Sequence, residues 1–542
     1  MESWTQLRRR STGLFAHVHQ SLPSMPRLGR PSSSRKQHGA IRATWQRVDG
    51  LPLLPRSSHS LDVVAGAAYI FGGELSPREP VDNDMLVISL PYSSAGADYY
   101  KVKAVAAKGD ERPAFEERYD AGEQQQNEEE TPGQRDLQDV PLGENPPANK
   151  GKEPATAEDQ QPSVSNPGDV PAPRVGHATA VIGSRIFLFG GRGGPDMTPL
   201  DEAGRVWVFD TRSRTWTHLD PVPAVTPGAA AVPHPAARSY HCAAATEHPR
   251  DLGHPSAPRK PQTWRQWAVG DSARTGIPQD PVVGSVAEEA VDYDSEGYGT
   301  FLVHAGCLAD GERTSDLWAF DVASRTWTEL PAAPGPPRSG TGMCISKSRL
   351  FRFGGFDGAS SLGGQLDFLP LELETFDDST AKAEVSIAAR AAGWQTILAD
   401  NPDASSTDIP VECSQQWPAA RSVASLHALS IGGGGREYLV LAMGEGSPSA
   451  DGHAAAAAFL DDVWTFQAVG RKTGEGRWTR VEARPLDDDE YDDDDEQGRP
   501  APRGWLASAP MGDVEESGIV IWGGVGQDNQ RIGDGWILRL GD

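Results

Sequence analysis

Short apolar runs recur along the chain, each preceded by an arginine and most of them ending in two glycines. The runs are AYIFGG (68–73), IFLFGG (186–191), FLVHAG (301–306), LFRFGG (350–355), YLVLAMG (438–444) and IVIWGG (519–524). The arginines are Arg56, Arg174, Arg238, Arg338, Arg421 and Arg503. Runs of this length, bounded by glycine and polar residues, are typical of β-strands. A unit that recurs in this way is one supersecondary block, which buries its faces only by packing against its neighbours.

The second unit shows the full pattern. Its predicted strands are HATAVI (177–182), RIFLFGG (185–191), RVWVFD (205–210) and RTWTHL (214–219). Gly183-Ser184 separates the first two strands, which is the length of a tight hairpin turn. The third unit repeats the last two strands as DLWAFD (316–321) and RTWTEL (325–330). Four antiparallel strands in one unit are the size of a propeller blade.

The last unit ends at GWILRL (535–540) and lacks a fourth strand. The segment TWQRV (44–48) matches the missing strand in sequence. We therefore predict an all-β fold, a six-bladed propeller of residues 43–542 whose last blade is closed by the N-terminal strand. Closure of this kind removes the two exposed sheet edges of an open array.

Charge and hydropathy narrow the possible partners and locations. The net charge of −26 argues against nucleic acid as a partner. No apolar stretch reaches the about 18 residues that a membrane helix needs. Residues 1–42 are basic and serine-rich, which predicts a disordered tail in a cytoplasmic protein, with a mitochondrial transit peptide as the alternative.

Three long segments interrupt the blades and are predicted to be loops. Residues of about 105–171 and 485–499 are acidic, and strand order places both on the face where the arginines lie. The insertion of about 247–298 lies within blade three and on the opposite face. The four cysteines are scattered, which favours free thiols in a reducing compartment over a disulfide framework or a zinc site.

The repeated unit resembles the kelch motif, in which four apolar residues and Gly-Gly are followed by an aromatic residue and a tryptophan. This resemblance covers nearly all of residues 43–542 and implies a six-bladed kelch propeller of the galactose oxidase superfamily. Two units depart from the motif, because Ala305-Gly306 and Gly444-Glu445 stand at the Gly-Gly position. The motif is specific for the fold and says little about function, since kelch propellers host many functions.

The arginines are the most informative polar set. Each begins an innermost strand, so the six should surround the mouth of the central channel on one face. One interpretation is that they, together with Arg192 after the second Gly-Gly, bind a partner's carboxylate or another anion. The other is that each arginine bonds inter-blade carbonyls or a carboxylate and is architectural. His59, His177 and His241 follow three residues after an arginine and are expected to pack against the channel.

The predicted function is a monomeric scaffold or interaction module that binds a protein partner through the face of inter-blade loops and uses no cofactor. The alternative comes from a resemblance to plant specifier proteins, which are also bare kelch propellers. It implies an Fe(II)-dependent catalyst acting on a small anionic substrate, so enzyme activity is left open. The iron motif Glu-x-x-x-Asp-x-x-x-His has only inexact counterparts here, at Glu247, Asp251 and His254 and at Glu445, Asp451 and His453.

Overall fold

The computed structural model describes most of the chain beyond the first forty residues. The described residues are 41–91, 97–107, 168–222, 232–247, 298–376, 384–399, 416–431, 436–449, 457–468, 476–486, 498–512, 515 and 517–541. The three predicted insertions fall mostly outside these ranges, as does the predicted N-terminal tail except for its last two residues.

The described residues form six main sheets of four or five strands, arranged as the blades of a ring. Blades one to three consist of Ser60–Val64, Ala67–Phe71, Met85–Ser89 and Asp98–Val102; Ala178–Ile182, Arg185–Phe189, Val206–Asp210 and Thr215–Leu219; and Cys242–Thr246, Thr300–His304, Leu317–Asp321 and Thr326–Leu330. Blade four consists of Gly342–Ser346, Arg349–Phe353, Gln365–Phe376, Glu384–Ala389 and Gln395–Leu398. Blade five consists of Ser425–Ile431, Arg436–Ala442, Val463–Ala468 and Gly476–Val481. Blade six consists of Ala507–Pro510, Gly518–Trp522, Gly535–Gly541, Arg42–Arg47 and Ala483–Pro485.

Short two-stranded ladders lie on the arginine face, beyond the glycine pairs. They are Glu74–Ser76 with Glu79–Pro80, Arg192–Gly193 with Thr198–Pro199, and Arg238–Ser239 with Cys307–Leu308.

The N-terminal strand closes the ring, as the sequence predicts. Arg42–Arg47 pairs antiparallel with the last strand of the chain, from Arg42 opposite Gly541 to Arg47 opposite Trp536. On its other side it pairs in parallel with Ala483–Pro485. The innermost strands of neighbouring blades contact each other all around the ring, including those of blades six and one. The prediction of a closed six-bladed propeller is confirmed.

Tryptophans on the outer strands join neighbouring blades. The Trp216 ring lies 5.1 Å from Phe71 of the preceding blade, and Trp327 lies 5.3 Å from Phe189 in the same relation. Both tryptophans are buried, so each of these two boundaries gains a large apolar contact with edge-to-face geometry.

Blade four departs from the four-strand pattern. Its third strand, Gln365–Phe376, is long enough to serve two partners. The first part pairs with Gln395–Leu398, the usual outer strand, and the second part forms a hairpin with Glu384–Ala389.

The glycine pair of blade five is Met443-Gly444, and its placement at Gly444-Glu445 was wrong by one residue. Met443 has φ 63° and Gly444 φ 108°, which match the positive φ values of Gly354 and Gly355 in blade four. The Gly444 amide donates to the Arg503 carbonyl of the next blade, as the Gly355 amide donates to that of Arg421. The apolar strand segment of blade five therefore ends at Ala442, because Met443 occupies the position of the first glycine.

Candidate functional site

Four of the six arginines are paired with carboxylates within the described residues. The pairs are Arg174 with Glu202, Arg238 with Asp316, Arg421 with Asp462 and Arg503 with Asp534. In each pair Nη1 and Nη2 donate to the two carboxylate oxygens, at 2.5–3.3 Å. This fork geometry is the strongest form of ion pair that arginine makes.

The same side chains also bridge the backbone of their blade. Arg421 shows the pattern, since its Nη1 donates to the Met443 carbonyl of the glycine pair and its Nε to the Ala419 carbonyl. The carboxylate is held in turn by a tryptophan, because Trp464 Nε1 donates to Asp462 Oδ2 at 2.6 Å. Arginine, carboxylate and indole thus form one repeated unit that joins the start of the inner strand to the second and third strands.

These four guanidinium groups have no exposed surface with which to bind a partner, since each arginine is at most 1% exposed. Burial alone would raise the pKa of Asp316, Asp462 and Asp534, but the hydrogen bonds and charges of the arginines outweigh it and lower the pKa of each. The geometry matches the architectural interpretation for Arg174, Arg238, Arg421 and Arg503.

Arg56 and Arg338 differ from the other four. Arg56 Nη1 donates to the Gly72 carbonyl, and its Nε is buried without a partner among the described residues. Asp84, at the carboxylate position of that blade, is bonded to Lys103 at 2.6 Å. Arg338 forms its two backbone hydrogen bonds, but its buried Nη2 has no described partner.

A belt of backbone hydrogen bonds encircles the channel two residues beyond the arginines. Its members are Ser58, Gly176, Tyr240, Gly340, Val423 and Trp505, all with φ between 46° and 61°. Five of them donate to the carbonyl of the equivalent residue in the preceding blade, at 2.6–3.1 Å. The belt holds these residues in the left-handed region of backbone conformation, which residues other than glycine rarely adopt.

Two aromatic side chains of this belt meet across the channel mouth. Tyr240 belongs to blade three and Trp505 to blade six, yet their rings lie 5.3 Å apart at an interplanar angle of 82°. Tyr240 reaches this position by crossing over Gly176, where a Cβ would lie 2.8 Å from its ring. Both aromatic residues are only partly buried, so they form part of the surface at the mouth.

Charged groups border the aromatic pair. The Arg192 guanidinium stacks on the Tyr240 ring at 5.0 Å, and its Nε and Nη2 donate to Ser239 Oγ. On the other side, Trp505 Nε1 donates to Glu445 Oε2 at 2.8 Å. We call Arg192, Tyr240, Glu445 and Trp505 the mouth cluster. It lies on the arginine face, where the inter-blade loops are.

Comparison with known proteins agrees with the repeat. The Kelch motif family model matches residues 173–223, which contain blade two. The chain is a six-bladed β-propeller that contains a Kelch motif in blade two. The Kelch-like protein terF of Aspergillus terreus (strain NIH 2624 / FGSC A1156) is 29% identical over 187 residues, which are 34% of this chain and 39% of that protein. The match thus spans about two-fifths of that relative. The solved structure of YjhT covers 90% of this chain and 95% of its own, with 11% identity and a TM-score of 0.43.

The histidines of the propeller pack between blades, beneath the belt. The His177 ring lies edge-on to Phe71 of the preceding blade, and the His241 ring lies in the same way against Phe189. Burial, followed by the charge of the neighbouring arginine, lowers the pKa of His241 to about 3 and that of His59 and His177 well below the usual value. All three are neutral packing residues at neutral pH.

The described part of the propeller contains no group of three His, Cys, Asp or Glu side chains that could hold a metal ion. Asp451 and His453 of one predicted iron string, and Asp251 and His254 of the other, lie outside the described residues. Cys242, Cys307 and Cys344 are free thiols. No helix among these described residues combines the length and the apolar character that a membrane span requires.

One buried residue of the inner strands, Asp62, should make the stability of the propeller depend on pH. Asp62 is buried on the inner strand of blade one beside the Thr179 hydroxyl, and burial raises its pKa to about 7. The folded state therefore binds this proton more tightly than the unfolded state, and stability falls as the pH rises from about 4 to 7. We expect Asp62→Asn to be more stable than the wild type at pH 8 by about 2–4 kcal/mol.

Urea unfolding of both proteins at pH 4, 6 and 8 measures this difference. The gain should shrink to a few tenths of a kcal/mol at about pH 4, because Asp62 is then protonated in the folded state and about half protonated in the unfolded state. Asp528→Asn, at an exposed position, serves as the control and should show no pH-dependent gain. An equal gain at every pH would mean that folding does not raise the pKa of Asp62.

Two sets of residues in the site, the carboxylates and the aromatic pair, are not among the site residues predicted from the sequence. The carboxylates had a visible signal, because Asp316, Asp462 and Asp534 each stand two residues before a tryptophan. Glu202 lacks this signal, since it stands five residues before Trp207. Tyr240 and Trp505 follow two residues after an arginine, where the other units have small or aliphatic residues. That contrast marks them as exceptions to the repeat.

Proposed function

We propose that this kelch propeller is a protein-interaction module and that the mouth cluster is the centre of its recognition surface. The observation that carries the proposal is the contact of Tyr240 and Trp505 across the channel, with the Arg192 guanidinium stacked on the tyrosine. Of the arginines we predict to bind a partner, Arg192 is the one that is half-buried, whereas the other six are buried, and its described hydrogen bonds use Nε and Nη2.

The composition of the mouth cluster supports this role. Tryptophan, tyrosine and arginine are the residue types that dominate the energy of protein interfaces, above all near the centre of the contact. Here all three come together at the axis of the ring, where loops from every blade converge. A partner segment would bury the two rings and accept a hydrogen bond from Arg192 with a carboxylate or carbonyl oxygen.

Backbone strain at the two aromatic residues also supports a binding role. Tyr240 has φ 54° and Trp505 φ 58°, a conformation that costs a bulky residue roughly 1–2 kcal/mol. Gly176 and Gly340 occupy the same position in two other blades, so the fold accepts glycine there. The aromatic side chains are thus not required by the belt, and strain at such positions is common at binding sites.

The proposal predicts that Tyr240→Gly and Trp505→Gly separate binding from folding. Each change relieves the positive φ and removes the side chain, so the unfolding midpoint should stay within about 2 °C of the wild type. Each should weaken binding by about thirtyfold or more, the loss of about 2 kcal/mol typical of a central aromatic residue. Affinity capture from cells that contain the native protein, quantified by mass spectrometry, identifies partners that depend on these rings, and titration then gives their Kd.

Lys347→Gly is the matched control. Lys347 is exposed, has φ 46° and lies in the turn between the first two strands of blade four, on the opposite face. The change relieves a similar strain away from the channel mouth, so captured partners should be retained. Partners that are captured equally by the wild type, Tyr240→Gly and Trp505→Gly would contradict the mouth cluster as the recognition site.

A further inference from the structure

The outer edge of blade one is open, whereas those of blades two and six carry an added strand segment. In blade two, Ala106 pairs in parallel with Trp216 on this edge. In blade six, Ala483–Pro485 pairs in parallel with residues 43–45. Both added segments belong to the chain that follows the preceding blade. The outer strand of blade one, Asp98–Val102, has a partner only on its inner side within the described chain.

The corresponding segment before blade one bonds elsewhere. It consists of residues 48–57, all of which the structure describes. The Leu54 amide donates to the Gly533 carbonyl of blade six at 2.9 Å. The Arg56 amide donates to the Ile532 carbonyl of the same loop at 3.2 Å. This segment therefore stays with blade six and supplies no added strand to blade one.

The register shows which backbone groups point out of blade one. In blade two the Ala107 amide donates to the Trp216 carbonyl, so the peptide groups of Trp216 point outward. Trp216 pairs with Phe209 in the third strand of its blade. Tyr99 pairs with Ile88 in the same way. The peptide groups of Tyr99 therefore also point outward.

The outward groups can pair with another strand. Lys101 points the same way as Tyr99, since backbone direction repeats every second residue. No backbone group of the described chain bonds to the Lys101 amide or carbonyl on this edge. The Tyr99 amide donates to Asp98 Oδ1 at 2.8 Å, a local bond that a partner's carbonyl can replace. The Lys101 ammonium, a charge of the kind that protects edge strands from pairing, is already paired with Asp82 at 3.2 Å.

The side chains of this strand are exposed on both faces. Tyr99 and Tyr100 are each 37% exposed, and successive residues point to opposite faces of a strand. The exposed Arg214 guanidinium stacks on the Tyr100 ring at 5.1 Å. Four other blades have a tryptophan in the register of Tyr99, and each is at most 3% exposed: Trp45, Trp216, Trp327 and Trp478. One face of the edge thus offers an aromatic ring and the other a guanidinium.

We propose that the outer edge of blade one binds an extended segment of a partner protein, which pairs in parallel with Asp98–Val102 as a fifth strand. The segment has an apolar residue beside Tyr99 and, next in its sequence, an acidic residue beside Tyr100, where Arg214 binds the carboxylate. The parallel direction follows the added segments of blades two and six. Main-chain hydrogen bonds supply the affinity, and the two side chains supply the specificity. The edge lies on the outside of the ring, and the proposal does not rest on the mouth cluster.

Hydrogen exchange of the full chain, read residue by residue, tests whether the edge is open. At low protein concentration the Lys101 amide should exchange at least about tenfold faster than the amides of Tyr100 and Val102, which point toward the third strand of the blade. A saturating amount of the blocked peptide Thr-Val-Thr-Phe-Glu-Val-Thr should then slow exchange at Lys101 by at least about tenfold.

Two other occupants of the edge would overturn the proposal. Slow exchange at Lys101 in the isolated monomer would mean that another part of the chain already pairs with this edge. Slow exchange that appears only as the protein concentration rises, together with dimers in sedimentation, would mean that a second copy does. The net charge of −26 on each chain argues against the second case, because two copies repel each other.

A proline variant locates the binding edge. Lys101→Pro removes an amide that the blade does not use, so the unfolding midpoint should stay within about 3 °C of the wild type. Fluorescence anisotropy of the labelled peptide should show a Kd at least about tenfold higher than for the wild type. Equal affinity of the two proteins for the peptide would contradict the edge as the binding site.

Two variants are matched controls for the proline. Lys101→Gln loses the same ion pair with Asp82 but keeps the amide, so its Kd should stay within about twofold of the wild type. Glu329→Pro places a proline at the equivalent exposed position of blade three, where Glu329 pairs with Trp318. It should keep the affinity, because the peptide binds blade one.

The preference for an acidic residue is tested at Arg214. Arg214→Gln should weaken binding of the peptide by at least about threefold, and should leave unchanged the binding of a peptide with glutamine in place of the glutamate. Arg325→Gln is the matched control, because Arg325 is exposed at the same place in the turn of blade three, with φ 56° against 59°. An equal loss for both peptides, or no binding of either peptide to the wild type, would overturn the proposed partner.

Discussion

A chain that begins at Asp49, without the closing strand, should fail to form a cooperative propeller. The truncation removes Arg42–Arg47 and with it both ladders to Gly535–Gly541 and Ala483–Pro485. It also removes the buried Trp45, which packs in one apolar cluster with residues of blades five and six. We expect the free energy of unfolding to fall by more than about 5 kcal/mol, which is comparable with the whole stability of a typical domain. Thermal unfolding followed by circular dichroism and tryptophan fluorescence measures it.

A chain that begins at Ile41 is the control, because it keeps the closing strand. It should unfold at the same midpoint as the full chain. A synthetic peptide of residues 41–50, added to the chain that begins at Asp49, should restore a cooperative transition at a midpoint that rises with peptide concentration. A cooperative transition near the wild-type midpoint without the peptide would show that closure by this strand is not needed.

Closure could be predicted because the repeat is local. Each blade carries its own strands, turns and tryptophan, so the shortage of one strand at the C-terminus and the surplus strand TWQRV at the N-terminus were visible in the sequence. The same local pattern placed all six arginines at the start of inner strands. It misplaced the glycine pair of blade five, because a methionine adopts a glycine's conformation there and Gly444-Glu445 offered a closer match.

The site could not be predicted to the same degree, because its contacts join distant parts of the sequence. Arg238 and Asp316 are 78 residues apart, and the repeat does not reveal that they meet. Tyr240 and Trp505 belong to opposite blades, and their contact depends on the direction that a positive φ gives each side chain. The sequence located the face and left open which of its residues are exposed. Burial in the structure separates the architectural arginines from Arg192.

Removing the carboxylate that pairs with a buried arginine should lower the free energy of unfolding by much more than the partial exposure of that carboxylate suggests. Asp462→Ala removes the two oxygens that hold Arg421, which is fully buried and would remain charged. It also removes the oxygen that accepts the hydrogen bond from Trp464 Nε1. Loss of one partner from a buried pair costs about 3–5 kcal/mol. Urea unfolding at pH 7 measures the loss. Asp461→Ala, at the exposed neighbouring position, is the control and should change stability by less than about 0.5 kcal/mol.

A double-mutant cycle with Arg421→Met shows whether the loss comes from the stranded cation. If it does, Arg421→Met combined with Asp462→Ala should be less destabilised than the sum of the two single changes by at least about 1 kcal/mol. The pH dependence gives an independent check. Because Arg421 holds the pKa of Asp462 below its usual value, the pair contributes fully above about pH 4 and less as the pH falls further. The cost of Asp462→Ala should therefore shrink below pH 4, and a cost that is constant from pH 7 to pH 3 would assign it to lost packing.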